Sequence, residues 1–425
     1  MGDDFDHAKT VLPNGIRVLS ERIPHVRSAS VGLWVGVGSA HEEPAARGIS
    51  HCIEHMLFKG TPTRDAQQIA ELMDSVGGHL NAFTDKESTC YHARVVDVHA
   101  PLTMDVLADM FLHSNFDPAE LRKEQQVILE EIRMYDDSPD EVSHDLFIRS
   151  VWAGSPLGEP TIGYEQTVRA ITKESIVRYK ASRYSPNAVV ICAAGNVDHT
   201  AFAKQIETLF GGMRGGGPPE DPAKPEFQAV TVVQPKDCEQ VYLLFGAEGF
   251  SARDDRRYAV SVLDTILGSG MASRLFHEIR EKRGLAYSVY SSHTPYRTAG
   301  LFTISATTGP DNAAEVVTLV RNELARIVQD GALEAEVARA KEHLKGGLLL
   351  SLESTSTRML RLGRSELSLG RYLAISEVIE RVDAVTLDDV NNLARMLFAP
   401  GRTALTVVGP VSEDFAANHA LAQSA

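Results

Sequence analysis

Tyr184-Ser-Pro-Asn-Ala-Val-Val-Ile-Cys-Ala-Ala-Gly-Asn-Val-Asp198 reads as a proline-marked turn, a buried apolar strand and a glycine stop. Phe398-Ala-Pro-Gly-Arg-Thr-Ala-Leu-Thr-Val-Val-Gly-Pro-Val-Ser412 repeats that pattern 214 residues later, with Pro186 falling on Pro400, Gly195 on Gly409 and Val197 on Val411. Near the midpoint of the chain, Phe210 to Pro225 holds five glycines and four prolines in sixteen residues, the composition of a linker. The repeat and the linker define the same half-length, so two similar domains are expected: 1–210, a linker over 211–225, and 226–425.

Strand spacing over Val18 to Gly38 and Tyr91 to Val98 mixes with helical periodicity over Pro118 to Tyr135, Asn312 to Gly331 and Leu333 to Leu350. No regular βαβ alternation links these segments. The expected class is α+β, with each domain a largely antiparallel sheet packed with helices.

With 425 residues, 43% hydrophobic and 23% charged, the chain has the composition of a soluble globular protein, and disordered, collagen-like and membrane-spanning classes fit poorly. Lys and Arg number 42 against 57 Asp and Glu, a net charge of -15, which argues against nucleic acid or an anionic membrane as partner. The four cysteines, Cys52, Cys90, Cys192 and Cys238, are scattered and form no CxxC pair, so neither a disulfide framework nor a thiolate zinc site is indicated. The N-terminus is acidic and lacks the apolar segment of a secretory signal and the basic amphipathic pattern of a transit peptide. A cytoplasmic location is expected.

His51-Cys-Ile-Glu54-His55 is the strongest local feature. Two histidines four apart on a helix differ by about 40° in azimuth and about 6 Å in rise, so both imidazoles can meet one metal ion, with Glu54 on the same side. Ile49, Cys52, Ile53 and Met56 form an apolar stripe on the opposite face, which supports the helix independently. A catalytic zinc usually takes a third protein ligand and keeps a position for water. The acidic segment Pro118 to Tyr135 offers candidates. With about 100° per residue, Leu121, Ile128, Ile132 and Tyr135 form its core stripe, Glu124 and Glu131 flank that stripe, and Glu130 points to water. Two inward carboxylates call for a metal or a cationic partner, an arginine at a domain seam being the plainer alternative.

The order His-x-x-Glu-His, followed 76 residues later by the second glutamate of Glu124-(x6)-Glu131, resembles the pitrilysin or insulinase-type zinc metallopeptidases. Within that family the chain resembles the bacterial, single-subunit relatives of mitochondrial processing peptidase. The likeness runs through Leu12-Pro-Asn-Gly-Ile-Arg-Val18, Gly48 to Gly60, Gly78 to Ala82, Val127 to Tyr135 and Ser273 to Tyr287. It implies that His51, His55 and Glu131 bind one zinc ion per chain, that Glu54 is the general base, and that Glu124 orients a ligand without holding the metal. Manganese or cobalt could occupy the same donor set.

The resemblance further implies that Asn81, Ala82 and Phe83 lie on an exposed edge strand to which an extended peptide adds, and that Arg280 and Tyr287 bind substrate. Two domains carrying both elements imply a homodimer, a clamshell whose site is completed in trans. The expected activity is that of a zinc endopeptidase acting on peptides or unfolded protein segments, with a non-catalytic scaffold subunit and a small-molecule hydrolase as alternatives.

Overall fold

The computed structural model of the chain describes residues 6–418; residues 1–5, part of the acidic N-terminal stretch read above, and residues 419–425 lie outside them. The first sheet comprises β1 (Asp6–Val11), β2 (Arg17–Arg22), β3 (Ser28–Val35), β4 (His79–Thr84), β5 (Thr89–Val96) and β6 (Val189–Gly195), in the order β1-β2-β6-β3-β5-β4. The second comprises β7 (Thr231–Pro235), β8 (Val241–Glu248), β9 (Ala286–Pro295), β10 (Gly300–Thr308) and β11 (Thr403–Gly409), in the order β7-β11-β8-β10-β9. Pairings are antiparallel except β2 with β6 and β7 with β11. Apart from β1, the two sheets repeat one topology, and the two halves are similar α+β domains.

The duplicated strands are β6 and β11, each a central strand between one parallel and one antiparallel neighbour. Their terminal glycines explain why the pattern repeats. Gly195 has φ +127° and Gly409 φ +154°, a backbone region that favours glycine. At Gly195 a Cβ would also stand 2.2 Å from the Ser28 carbonyl oxygen.

Compact units divide the chain less simply than contiguous halves. One takes the described residues up to Ile132, with Glu159–Pro222 and Leu350–Ile375; the other takes Arg133–Gly158, Ala223–Leu349 and Ser376 onward. The strands respect the boundaries 1–210 and 226–425, but helices Pro139–Val151 and Thr355–Leu369 fall whole in the unit of the other half, and helix Pro118–Asp137 ends there. Helix Thr355–Leu369 covers the apolar face of the first sheet around Trp34, Cys90 and Val190. Its approach depends on glycines: a Cβ at Gly363 would lie 2.2 Å from Trp34 Nε1, and one at Gly32 would lie 2.2 Å from Met359 Sδ. The second sheet is treated in the same way, because Gly246 in β8 leaves space for Phe147 of helix Pro139–Val151. Each sheet has two apolar faces, and its own half of the sequence covers one of them. The segment read as a linker lies between helix His199–Phe210 and β7 and contains no helix or strand.

Among the described residues no helix is long and apolar enough to cross a membrane.

Candidate metal centre

Helix α1 (Ile49–Leu57) forms as its periodicity requires: Ile49, Cys52, Ile53 and Met56 are buried in the first core, and His51, Glu54 and His55 share the other side. Its N-terminus is held by Glu42, whose two carboxylate oxygens accept the backbone N–H groups of Gly48 (2.7 Å) and Ser50 (2.8 Å). A buried acid here satisfies two of the unpaired donors of a helix start.

The third element is the long acidic helix, which spans Pro118–Asp137. Leu121, Glu124, Ile128 and Leu129 are buried, while Tyr135 is 43% exposed. The expected core stripe therefore fails at Tyr135. The helix runs past the first unit at Ile132, so its last turn has no part of that core to pack against. Glu124 and Glu131 do face α1, two turns apart on one side.

His51 Nε2 lies 3.8 Å and His55 Nε2 3.6 Å from Glu131 Oε2, and the two rings meet edge to face with centroids 4.6 Å apart. The three ligand atoms lie within 4.8 Å of one another, the one such group of three or more His, Cys, Asp or Glu among the described residues. Tetrahedral zinc with bonds of about 2.0–2.1 Å separates its ligand atoms by roughly 3.4 Å, so the two histidine–glutamate separations exceed that spacing by only a few tenths of an ångström. Glu131 Oε2 is buried and has no hydrogen-bond partner, which a protein tolerates where a cation completes the shell. Burial, followed by the neighbouring His55, pushes His51 down to about 3 and keeps it a neutral imidazole with a lone pair to offer. The donor set thus fits a divalent ion of zinc's preferences.

Around this trio, His55 Nδ1 meets Glu124 Oε2 at 3.1 Å, and Lys59 Nζ meets Glu124 Oε1 at 2.7 Å. No arginine pairs with Glu124 or Glu131 among the described residues; the cationic partner of Glu124 is Lys59. Glu54 is half-buried, and Thr84 Oγ1 donates to its Oε2 at 2.5 Å. Burial raises the proton affinity of Glu54; the Thr84 hydrogen bond and His55 lower it, and the charge of Glu131 raises it.

Thr84 ends β4, which among the described residues pairs with β5 alone and forms the edge of the sheet, as expected for the strand that carries Asn81, Ala82 and Phe83. Leu80 and Ala82 pack toward the core beneath α1, whereas Phe83 turns to the other face and meets Trp34 edge to face at 5.5 Å. The Ala82 N–H donates to the Oδ1 of Asn81 at 2.8 Å. Arg280 and Tyr287 lie in the other unit, on the π-helical segment Phe276–Glu281 and on edge strand β9, with the guanidinium carbon 5.7 Å from the Tyr287 ring centroid. Tyr287 is 78% exposed. In the repeated topology, helix Arg257–Leu267 follows β8 as α1 follows β3, and it contains no histidine and no glutamate.

Sequence reasoning missed Lys59 and Thr84. Only the general need of an inward carboxylate for a cationic partner pointed toward the first, and nothing pointed toward the second.

The family described as insulinase, peptidase family M16, matches residues 17–165, and the M16 inactive domain matches residues 170–344. An uncharacterized zinc protease of Bacillus subtilis, YmxG, is 44% identical over 93% of this chain and 97% of its own length. Its Streptomyces coelicolor counterpart, also named an uncharacterized zinc protease, is 40% identical over 95% of this chain and 90% of its own. The chain belongs to the M16 peptidase family. Two solved structures share the M16 fold seen here. An M16 inactive-domain protein from Pseudomonas fluorescens has a TM-score of 0.89 at 20% identity, covering 96% of this chain and 99% of its own. A protease from Helicobacter pylori has a TM-score of 0.88 at 21% identity, covering 95% and 99%. The inactive-domain match falls largely on the half without His51, His55 and Glu131, and the M16 peptidase match contains all three and Glu54.

Proposed function

We propose that this M16 protein is a zinc endopeptidase that hydrolyses peptides or unfolded protein segments, with one zinc per chain held by His51, His55 and Glu131. The observation that carries the reading is the buried, unpartnered Glu131 oxygen set between two imidazole nitrogens, beside a carboxylate of raised proton affinity. Bound zinc would supply Lewis acidity toward a peptide carbonyl and lower the pKa of a water molecule.

The protein's own groups do the rest. Glu54 takes a proton from the attacking water and returns it to the leaving amine; its raised proton affinity suits both transfers. Thr84, by holding Oε2, leaves Oε1 to carry that proton. Glu124 accepts the Nδ1 hydrogen of His55, which turns the lone pair of Nε2 toward the metal position. The open edge of β4 offers backbone groups to an extended peptide, a mode of recognition that tolerates many side chains.

Cleavage of a quenched fluorescent peptide library by wild type and Glu54→Gln, matched for zinc content, tests this. Activity lost in the variant supports the reading; zinc bound at one per chain with no cleavage of any peptide would replace it with a non-catalytic or small-molecule role. We further propose that a homodimer completes the site in trans through Arg280 and Tyr287 of the second copy, which the exposure of Tyr287 supports. Mixing Glu54→Gln with Arg280→Ala/Tyr287→Ala subunits then restores cleavage. Persistent inactivity after verified subunit exchange would count against it.

A further inference from the structure

Three carboxylates, Glu54, Glu124 and Glu131, crowd the two imidazoles. Burial is deepest for Glu124, whose side chain is 8% exposed, and such a carboxylate needs a cation or a full set of donors. The proposed metal position accounts for Glu131, and Thr84 for Glu54. Glu124 is satisfied from both ends: Oε2 by His55 Nδ1 at 3.1 Å, and Oε1 by Lys59 Nζ at 2.7 Å. Lys59 is 29% exposed and sits just beyond the end of α1.

Its position is built by the chain around it. Lys59 N–H closes the last turn onto Met56 O, and Gly60 follows with φ +108°, turning the backbone sharply. Two bonds pin that turn to the segment leading into the Pro118–Asp137 helix: Ser114 Oγ donates to Met56 O at 3.1 Å, and Asn115 N–H donates to Gly60 O at 3.0 Å. The ammonium group is thereby delivered to Glu124 by the same helix that carries both histidines.

We propose that Lys59 is a positioning residue of the metal centre, acting through Glu124 on His55. Its charge holds Glu124 with one oxygen committed and the other aimed at His55 Nδ1; Glu124 then fixes the imidazole orientation and tautomer in which Nε2 faces Glu131. With Lys59 in place, three carboxylates and one ammonium leave the site at two negative charges, the complement of a divalent ion. The proposal rests on the zinc reading above but makes no use of peptide cleavage.

The test is zinc affinity, measured by chelator competition on the full-length protein for Lys59→Met, Lys59→Arg, Glu124→Gln and the double variant Lys59→Met/Glu124→Gln, with the absorption spectrum of the cobalt-loaded forms. Loss of an outer partner of a metal ligand typically weakens binding about 10- to 100-fold. Lys59→Met should fall in that range and alter the cobalt spectrum, and Lys59→Arg should recover most of the affinity. In the Glu124→Gln background, Lys59→Met should add less than about twofold, because the pathway is already cut. Unchanged or tighter zinc binding in Lys59→Met would overturn the proposal, as would full additivity with Glu124→Gln. Should Lys59→Met fail to fold, Lys59→Gln replaces it in the same cycle. A wild type that binds no zinc would overturn this proposal and the proposed function together, whereas a wild type that binds zinc regardless of Lys59 overturns this proposal alone.

Discussion

Thr84→Val removes one hydroxyl and keeps the shape of the side chain. The lost contact is the 2.5 Å hydrogen bond to Glu54 Oε2, made from the last residue of the edge strand to the opposite side of the site. Hydrogen bonds to charged groups contribute about 1.5–3 kcal/mol. If Glu54 is poised for proton transfer by that bond, its loss should reduce kcat/KM by roughly 10- to 150-fold, at about 1.4 kcal/mol per factor of ten. Thr84 touches none of the three ligands, so zinc affinity should stay within twofold of wild type. Thr84→Ser keeps the donor and should recover most of the rate. The assay is steady-state cleavage of a fluorogenic peptide by the three proteins at equal zinc loading. A Thr84→Val enzyme within twofold of wild type, or a Thr84→Ser enzyme as impaired as Thr84→Val, would refute the reasoning.

Removing zinc with a chelator should lower thermal stability, and restoring it at 100 times its dissociation constant should recover about 2.7 kcal/mol; a melting temperature independent of zinc contradicts the site. Burial pushes Asp264 up to about 6 against the opposing hydrogen bond from Ser291. Its folded form favours the proton, so its contribution to stability is full below the unfolded carboxylate range and is lost as pH rises toward 6. Asp264→Asn should therefore gain stability over wild type above pH 6 and lose that advantage below pH 4 in urea titrations, and a pH-independent difference would exclude this. Arg358 and Glu21 form a buried pair that ties helix Thr355–Leu369 to β2, so Arg358→Met should cost about 3–5 kcal/mol by the same titration, and less than 1 would show the pair to be dispensable. Gly195→Ala should cost at least about 1–3 kcal/mol from backbone strain alone, checked by its melting temperature.

Much of the site was legible because its logic is local. A helix fixes the separation of His51 from His55 whatever surrounds it, and the apolar stripe of Ile49, Cys52, Ile53 and Met56 identifies that helix without a structure. The same geometry placed Glu124 and Glu131 on one side of their helix. The duplicated strand was legible because Gly195 and Gly409 both occupy positive φ at a sheet position where a side chain has no room. Tyr135 shows where periodicity stops informing: its angular position suits a core stripe, but the core ends before the helix does.

The sequence by itself determined what chain geometry imposes over a few residues: the elements, the spacing of His51, Glu54 and His55 on one helix face, and the duplication of the strand. Tertiary structure alone decided which groups meet across long separations. It paired Glu124 with Lys59 instead of an arginine, brought Thr84 to Glu54 across 30 residues, and sent helix Thr355–Leu369 to cover the first sheet and helix Pro139–Val151 the second. Spacing along a helix or strand is set by covalent geometry, whereas the partner of a buried charge or an uncovered apolar face is chosen by whichever packing satisfies the whole molecule at once.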